Sequence, residues 1–349
     1  MHPVPPATPE PPPTEPSSAI VAPHIIRYLV LVAEERGVSL DRALRSVSLS
    51  RATLDSPALR VSYRQGRVVI GAALRELGVP ALGLLVGARQ PITASGVLGL
   101  AMMASATLEE AVTVGMRFQG LVGSMVRWGA AREGAQLVVT ASVSDDRSPV
   151  DRFLVEEGLA NTARMAREGA GVPVRVELAR PAPPAAEARM FTEHFGSPAR
   201  FGAGRNAWLV PLQRAREPLP TADRWARAEA IRVLEAQSLH VVARQELVAV
   251  LAARIEDALP EVLPLARHAQ ALATSERTLR RRLADAGSGY AEVLDEVRRS
   301  LAERLLARDE LTLADVSLRL GYSDERSLRR SVHRWFGTTP RGLRRGSQA

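Results

Sequence analysis

The stretch Leu311–Arg345, LTLADVSLRLGYSDERSLRRSVHRWFGTTPRGLRR, decides how the last quarter of this chain folds. Thr312 caps a helix through Leu320, Gly321 gives the following turn an unrestricted backbone, Tyr322 plugs the corner, and Ser323 caps the next helix. On that second helix Leu328, Val332 and Trp335 or Phe336 recur at helical spacing and point inward. Glu325, Arg326, Arg329, Arg330 and His333 are left on the outer face. The pattern predicts a helix-turn-helix whose second helix is narrow enough to enter a DNA major groove about 12 Å wide.

Working upstream, Pro264 to Gly287 repeats the plan. A helix over Leu265 to Leu272 is followed by the break Ala273-Thr274. Ser275 then caps a helix that runs to Ala286 and stops at Gly287. Leu279 and Leu283 face inward, which leaves Glu276, Arg277, Arg280 and Arg281 outside. The helix between the two copies, Tyr290 to Ala307, is about 27 Å long at the usual rise per residue. That is near the rise of one DNA turn, about 34 Å. The spacing predicts two recognition helices in successive major-groove segments. Whether each Arg reads guanine or clamps phosphate stays open at this level. On the connecting helix, Arg298, Arg299 and Arg304 share their surface with Glu292, Asp295, Glu296 and Glu303, and ion pairing is the expectation for them.

Charge is distributed to match. All 46 basic residues are Arg, and 17 of them lie between Pro264 and Ala349 against 11 acidic residues, an excess of six within a whole-chain charge of +8. The absence of Lys reads as compositional bias, but bias does not explain clustering, and nucleic acid is the natural partner of such a segment. Glu276 and Asp285 also offer local partners to Arg277, Arg280 and Arg281, so a solvated, ion-paired face is the alternative reading of those arginines.

Other chemistry is poorly supported. The chain has no Cys, which removes disulfides, thiolate metal sites and cysteine nucleophiles. Its six histidines are scattered, with no pair at metal-ligand spacing, and no metal site is expected. Gly202-Ala-Gly204 lacks the third glycine of a dinucleotide loop and reads as a turn. Ser124 after Gly123 lacks the second glycine of a nucleophile elbow, and Asp145-Asp146 reads as a solvated loop. No catalytic residue and no cofactor is expected. No signal peptide or uninterrupted apolar span is present, so the expectation is a cytoplasmic protein away from the membrane.

A length of 349 residues suggests two or three units. Met1 to Ser18, dense in Pro, reads as a disordered tail. From Ile25 to about Val86 the pattern is helical, including a helix outlined by Val61, Val68, Val69, Ala72, Ala73 and Leu77 that ends at Gly78. Thr107 and Glu110 form a capping box for a helix through Leu121. Ser124 to Trp128 and Gln136 to Val143 read as a hairpin about Arg132-Glu133-Gly134. A helix over Val150 to Glu168 closed by Gly169, a strand over Val172 to Leu178, a helix over Pro184 to Phe195 and a strand over Ala207 to Pro211 complete an α+β region. Two further helices, Ala222 to Leu239 and Glu246 to Leu259, lead to the arginine-rich end. Met102, Met103, Met116, Phe118, Met125, Trp128, Phe153 and Trp208 either line an apolar pocket or form ordinary core.

Leu311 to Arg345, with its Gly-aromatic-Ser turn and the Trp-Phe-Gly-x-x-Pro ending at Trp335 to Pro340, closely resembles the second half of the AraC/XylS-type DNA-binding domain. Ser275 to Leu306, SERTLRRRLADAGSGYAEVLDEVRRSLAERLL, resembles the first recognition helix and linker helix of that domain. Arg36 to Pro220 resembles the arabinose-binding-like effector domain of one branch, best over Leu82 to Glu110 and over Phe191 to Pro211, which carries FGSPARFGAGRNAWLVP. Departures fall at His268, Ala273 and Thr274, where the family has an aliphatic residue, Gly and an apolar residue. Leu328 and Val332 replace two phenylalanines, and Arg326 replaces a customary Ser.

The resemblance implies a bacterial transcription regulator with an α+β N-terminal effector-binding domain followed by an all-α DNA-binding domain of two helix-turn-helix units. The expected divisions are a tail over 1–19, an effector-binding and dimerisation domain over 20–220, linker helices over 221–262, the DNA-binding domain over 263–345 and a tail over 346–349. Expected partners are double-stranded promoter DNA, a small-molecule effector of unknown identity with no residues assigned to it, RNA polymerase, and a second copy of the chain. An effector-responsive activator is the leading reading. The alternative is a nonspecific DNA-binding or protein-interaction module whose first helix-turn-helix has drifted. The DNA-contacting set is Glu276, Arg277, Arg280, Arg281, Ser323, Glu325, Arg326, Arg329, Arg330 and His333, with more of the specificity expected on Arg326, Arg329 and Arg330 than on Arg277 and Arg280.

Overall fold

A computed structural model of the protein describes residues 19–21, 23–56, 59–122, 124–143, 148–286, 288–308 and 310–346. The expected tail at Met1 to Ser18, the Asp145-Asp146 loop, Gly123, the stop at Gly287 and the last three residues lie outside them. The chain divides into two units, Ile20–Leu239 and His240–Ala349.

In the first unit, strand β1 (Ala19–Val21) and helices α1 (His24–Glu34), α2 (Asp41–Ser46) and α3 (Arg51–Leu54) are followed by β2 (Val61–Ser62), α4 (Tyr63–Leu77) and α5 (Leu82–Arg89). Ser62 begins α4 by accepting from the Gln65 backbone N–H, while Gln65 Oε1 accepts from the Ser62 N–H. A short 3-10 turn leads to α6 (Val97–Met103) and α7 (Leu108–Val122), then β3 (Arg127–Glu133), β4 (Gln136–Ser142) and the long α8 (Pro149–Ala170). The remaining elements are β5 (Arg175–Leu178), α9 (Ala185–Phe195), β6 (Arg200–Phe201), β7 (Ala207–Pro211), α10 (Leu212–Ala215) and the start of α11 (Arg224–Ala258).

Strands β1 and β2 pair as a two-stranded sheet, and the other five form a sheet in the order β3-β4-β7-β5-β6. The larger sheet is antiparallel except where β5 pairs parallel with β6. Alternation along β4 sends Leu137, Val139 and Ala141 into the main core with Leu154 and Leu159 of α8, while Val138 joins Ala207 and Leu209 on the opposite face. Helix α5 lies close against α8. Cβ atoms at Gly83 and Gly87 would collide with the Phe153 and Glu157 carbonyl oxygens, so only glycine permits this approach.

Four expectations need correction in this half. Val61, expected on the helix that ends at Gly78, belongs to strand β2, and that helix starts at Tyr63. The hairpin begins at Arg127 rather than Ser124, and Arg132 and Glu133 belong to the strand, because Glu133 pairs with Gln136 across a two-residue Gly134-Ala135 turn. Helix α8 continues past Gly169 to Ala170 and is capped by Gly171 in the left-handed region. The two linker helices expected after Pro220 are one helix, α11, of 35 residues. Its sequence holds no Pro or Gly to break it.

The first part of α11 packs Ala230 and Leu234 against Leu98, Ala101, Val114 and Phe118. Its last part belongs to the second unit, where Val248, Leu251 and Ile255 share a core with Leu265, Leu279, Leu283, Val293 and Val297. That unit continues with α12 (Leu265–Ala271), α13 (Glu276–Asp285), α14 (Tyr290–Leu306), α15 (Leu313–Arg319), α16 (Glu325–Phe336) and α17 (Pro340–Gly346). Ala302, Leu305 and Leu306 form a second core with Val316, Leu320, Leu328 and Val332. Helix α14 thus serves as a beam of about 26 Å, its first half in one core and its second half in the other.

Candidate nucleic-acid interface and effector cavity

The two outer faces are built alike. Leu279 and Leu283 anchor α13, and Leu328 and Val332 anchor α16, each at 1 % exposure or less. Arg277, Arg280 and Arg281 are exposed on α13, as are Arg326, Arg329, Arg330 and His333 on α16, while Glu276 and Glu325 are half-buried. Glu276 pairs with Arg280 one turn on, and Glu325 pairs with Arg329 at 2.7 Å. Arg330 donates to Ser327 Oγ at 3.2 Å. Among the described residues no hydrogen bond or ion pair holds the side chains of Arg277, Arg281 and Arg326, although the Arg326 backbone N–H supports the Asp324 carboxylate. Arg282, which the sequence reading left out, is exposed beside them.

The turns differ. In the first, Ala273 occupies the left-handed region at φ 49°, the conformation for which the expected glycine is suited. Nearby His268 is 1 % exposed, with its ring 5.7 Å from that of Tyr290, and neither ring nitrogen finds a partner among the described residues. Burial, with the Arg254 charge nearby, lowers its pKa and keeps the ring neutral. In the second turn Gly321 stands at φ 68°, and a Cβ there would lie 2.5 Å from the Pro260 carbonyl oxygen. Tyr322 fills the corner as expected and its hydroxyl reaches Ser331 Oγ at 2.9 Å.

Ser323 is exposed but does not cap α16. The cap is Asp324, whose Oδ1 accepts from the Ser327 N–H at 2.7 Å. The second turn is one residue longer than the first, which moves the capping position past Ser323. The expected ion pairing on α14 also holds only in part. Arg299 pairs with Glu296, and Arg304 pairs with Glu256 of α11. Arg298 instead donates to the Leu320 and Gly321 carbonyls, at 2.8 Å each. Its guanidinium carbon lies 4.3 Å from the Tyr322 ring centre. Asp295 accepts from Trp335 Nε1 at 2.9 Å and pairs with Arg334. Asp324 and Ser331 escaped sequence reasoning, and Asp295 was expected only as an ion-pair partner on its own helix. Only Asp324, in an Asp-x-x-Ser step, carried a local signal.

The first unit holds a partly open cavity of about 460 Å³, within the range of small-molecule sites. Met102, Met116, Met125, Trp128, Leu154 and Trp208 supply apolar wall. Met103 also lines it, whereas Phe118 packs against α11 and Phe153 is ordinary core. Both indoles are fixed by hydrogen bonds, Trp208 Nε1 to Thr162 Oγ1 at 3.0 Å and Trp128 Nε1 to Ser124 Oγ at 3.1 Å.

Polar wall is sparse and includes Gln90, Gln119, Glu157 and Asn161. Glu157 is 5 % exposed and accepts from Gln90 Nε2. Burial outweighs that hydrogen bond and pushes its carboxyl up to about 7. The Gln90 carbonyl is in turn held by Asn161 Nδ2 at 2.9 Å and by Arg164. At another part of the wall, burial lowers His24 to about 4.

An α+β domain holding a ligand-sized cavity, joined to an all-α domain of two helix-turn-helix units, defines a transcription regulator of the two-domain, one-polypeptide kind. The pattern described as the arabinose-binding domain of AraC transcription regulator, N-term, matches residues 37–219, and a helix-turn-helix domain pattern matches residues 268–346. The chain belongs to the AraC-type transcription regulators. It is 30 % identical to the ornithine utilization regulator of Pseudomonas aeruginosa over 321 residues, covering 90 % of this chain and 93 % of that one. It is 29 % identical to the transcriptional regulator VirS of Mycobacterium tuberculosis over 328 residues, covering 89 % and 85 %. The crystal structure of the transcriptional regulator CdpR from Pseudomonas aeruginosa aligns with 89 % of this chain and 98 % of that one, at 25 % identity and a TM-score of 0.41. The protein is a sequence-specific DNA-binding regulator with an N-terminal effector domain. No single described helix is long and apolar enough to cross a membrane.

Proposed function

We propose that this regulator is an effector-responsive activator that contacts promoter DNA through the outer faces of α13 and α16. The contact set is Glu276, Arg277, Arg280 and Arg281 with Ser323, Glu325, Arg326, Arg329, Arg330 and His333. The observation that carries this reading is the pair of exposed arginine faces, each set on a buried leucine floor and reached through a helix-turn-helix. The divisions proposed are an effector and dimerisation domain over 20–220 and a DNA-binding domain over 263–345, with a homodimer and RNA polymerase as partners in the cytoplasm, on the strength of family membership.

The effector is a small molecule seated in the cavity bounded by Trp128, Trp208 and Glu157. Its binding favours the DNA-competent arrangement of the regulator by differential affinity for two states. The test of the DNA face is the double substitution Arg329→Ala with Arg330→Ala, followed by polarisation with a promoter duplex at fixed salt. Specific affinity falls while the unfolding midpoint stays in place. Unchanged affinity and specificity would overturn the assignment.

A further inference from the structure

The two recognition helices carry one heptad twice. Ser275-Glu276-Arg277-Thr278-Leu279-Arg280-Arg281 and Asp324-Glu325-Arg326-Ser327-Leu328-Arg329-Arg330 agree at five of seven positions, and the other two exchange like for like as hydrogen-bonding side chains. The flanking helices α12 and α15 share no such identity: LARHAQA stands against LADVSLR. The repetition is therefore strongest in the segment that carries the outward-facing arginines.

The structure puts the matched residues in matched places. Ser275 and Asp324 each cap their helix by accepting from the N–H three residues on, at 3.1 and 2.7 Å. Leu279 and Leu328 each have no exposed surface. Glu276 steadies Arg280 as Glu325 steadies Arg329. Arg277 and Arg281 therefore sit on α13 as Arg326 and Arg330 sit on α16, counted from the same cap and turned from the same core residue, with the one difference that Arg330 also donates to Ser327 Oγ. Beyond the heptad the faces part, since exposed Arg282 corresponds to buried Ser331 and Ala284 to His333.

A helix that presents the same donors at the same positions reads the same base edges, and paired Arg donors match the O6 and N7 acceptors of guanine. We propose that the two units read the same short guanine-bearing motif, so that one protomer's site contains two copies of it about one helical turn, roughly 10 base pairs, apart. The proposal rests on the reading that these faces touch DNA, and adds what they read.

The experiment is selection of bound duplexes from a randomised pool by the full-length protein, repeated with Arg277→Ala and with Arg326→Ala. The expected result is one core motif appearing twice, in either orientation, at that spacing. Each substitution should relax the same base within one copy only, by roughly tenfold or more in preference. Two unrelated cores, or a single core with no sequence preference one turn away, would overturn the proposal while leaving the DNA face intact. Relaxation of both copies by one substitution would also overturn it, because the copies would then belong to two protomers. If neither substitution changes the selected sequence, the reading of the faces themselves fails. Unfolding midpoints of both variants guard against loss of fold, which is not expected for exposed side chains.

Discussion

The Arg298 guanidinium lies over the Tyr322 ring, 4.3 Å from its centre, and from there donates to the Leu320 and Gly321 carbonyls. One side chain on α14 thus satisfies the end of α15 and covers the residue that fills the second turn. Arg298→Ala leaves those carbonyls without this donor and removes the ring contact, so the second unit should lose roughly 2 kcal/mol. Urea unfolding followed by Trp335 fluorescence measures it. Arg298→Lys should recover little, because an ammonium does not reproduce the guanidinium fork. Full recovery by Lys would refute this account.

Ala273 holds a left-handed conformation that costs an L-residue on the order of 1 kcal/mol. Ala273→Gly relieves it and gives back part of the gain as backbone entropy, so stability should rise by up to about 1 kcal/mol. Denaturant titration of the full chain is the measurement, and a fall in stability would contradict the strain.

His268 is neutral, buried and without hydrogen-bond partners among the described residues. Its folded-state pKa is lowered, so its contribution to stability is present above its unfolded value of 6.5 and is lost as pH falls below that. His268→Leu should stabilise the first helix-turn-helix by about 1–2 kcal/mol and weaken the loss of stability below pH 6.5. An equal acid sensitivity in both proteins would sink the explanation.

Glu157 titrates in the opposite sense. Its carboxyl rises from 4.5 unfolded to about 7 folded. Its contribution is therefore full below pH 4.5 and is lost as pH rises through about 7. His24, lowered to about 4, works against it between 4.5 and 6.5, so comparison with Glu157→Gln is needed to isolate the carboxyl. Between those limits the variant should gain on the wild type by on the order of 3 kcal/mol as pH rises. A difference independent of pH would disprove it.

Gly87 lies where a Cβ would meet the Glu157 carbonyl. Gly87→Ala should push α5 away from α8 at a cost of about 1–3 kcal/mol. It should also weaken the Gln90–Glu157 hydrogen bond, read as a change in the pH dependence assigned to Glu157.

Legibility followed the range of the interactions. Both helix-turn-helix units could be read because their signals are local: leucines three and four apart, a Ser or Thr cap, a glycine in the turn. The resemblance to the family, which has Gly where Ala273 stands, marked that turn as a departure, and the left-handed backbone at Ala273 shows why it matters. Element ends slipped by a few residues, as at the Asp324 cap and the Gly171 stop, while side-chain partners were missed where they lie far along the chain. Arg298 has acidic neighbours on its own helix yet bonds carbonyls 22 and 23 residues away. Asp295 is anchored to Trp335 across 40 residues. Of eight apolar residues considered for a pocket, Phe118 and Phe153 face elsewhere, because the cavity's outline depends on how α7, α8 and the sheet meet.

By itself the sequence determined that this chain ends in two cap-turn-helix units with arginine outside and leucine inside, and that its first half mixes strands with helices. Helical periodicity and capping act over a few residues, so they are written in order along the chain. Only the tertiary structure decided that Glu157 faces an apolar cavity, that α11 runs unbroken, and that the two similar arginine heptads rest on equivalent caps and buried leucines. Those facts depend on which distant surfaces exclude water together and on which close approaches, as at Gly83, Gly87 and Gly321, the packing allows.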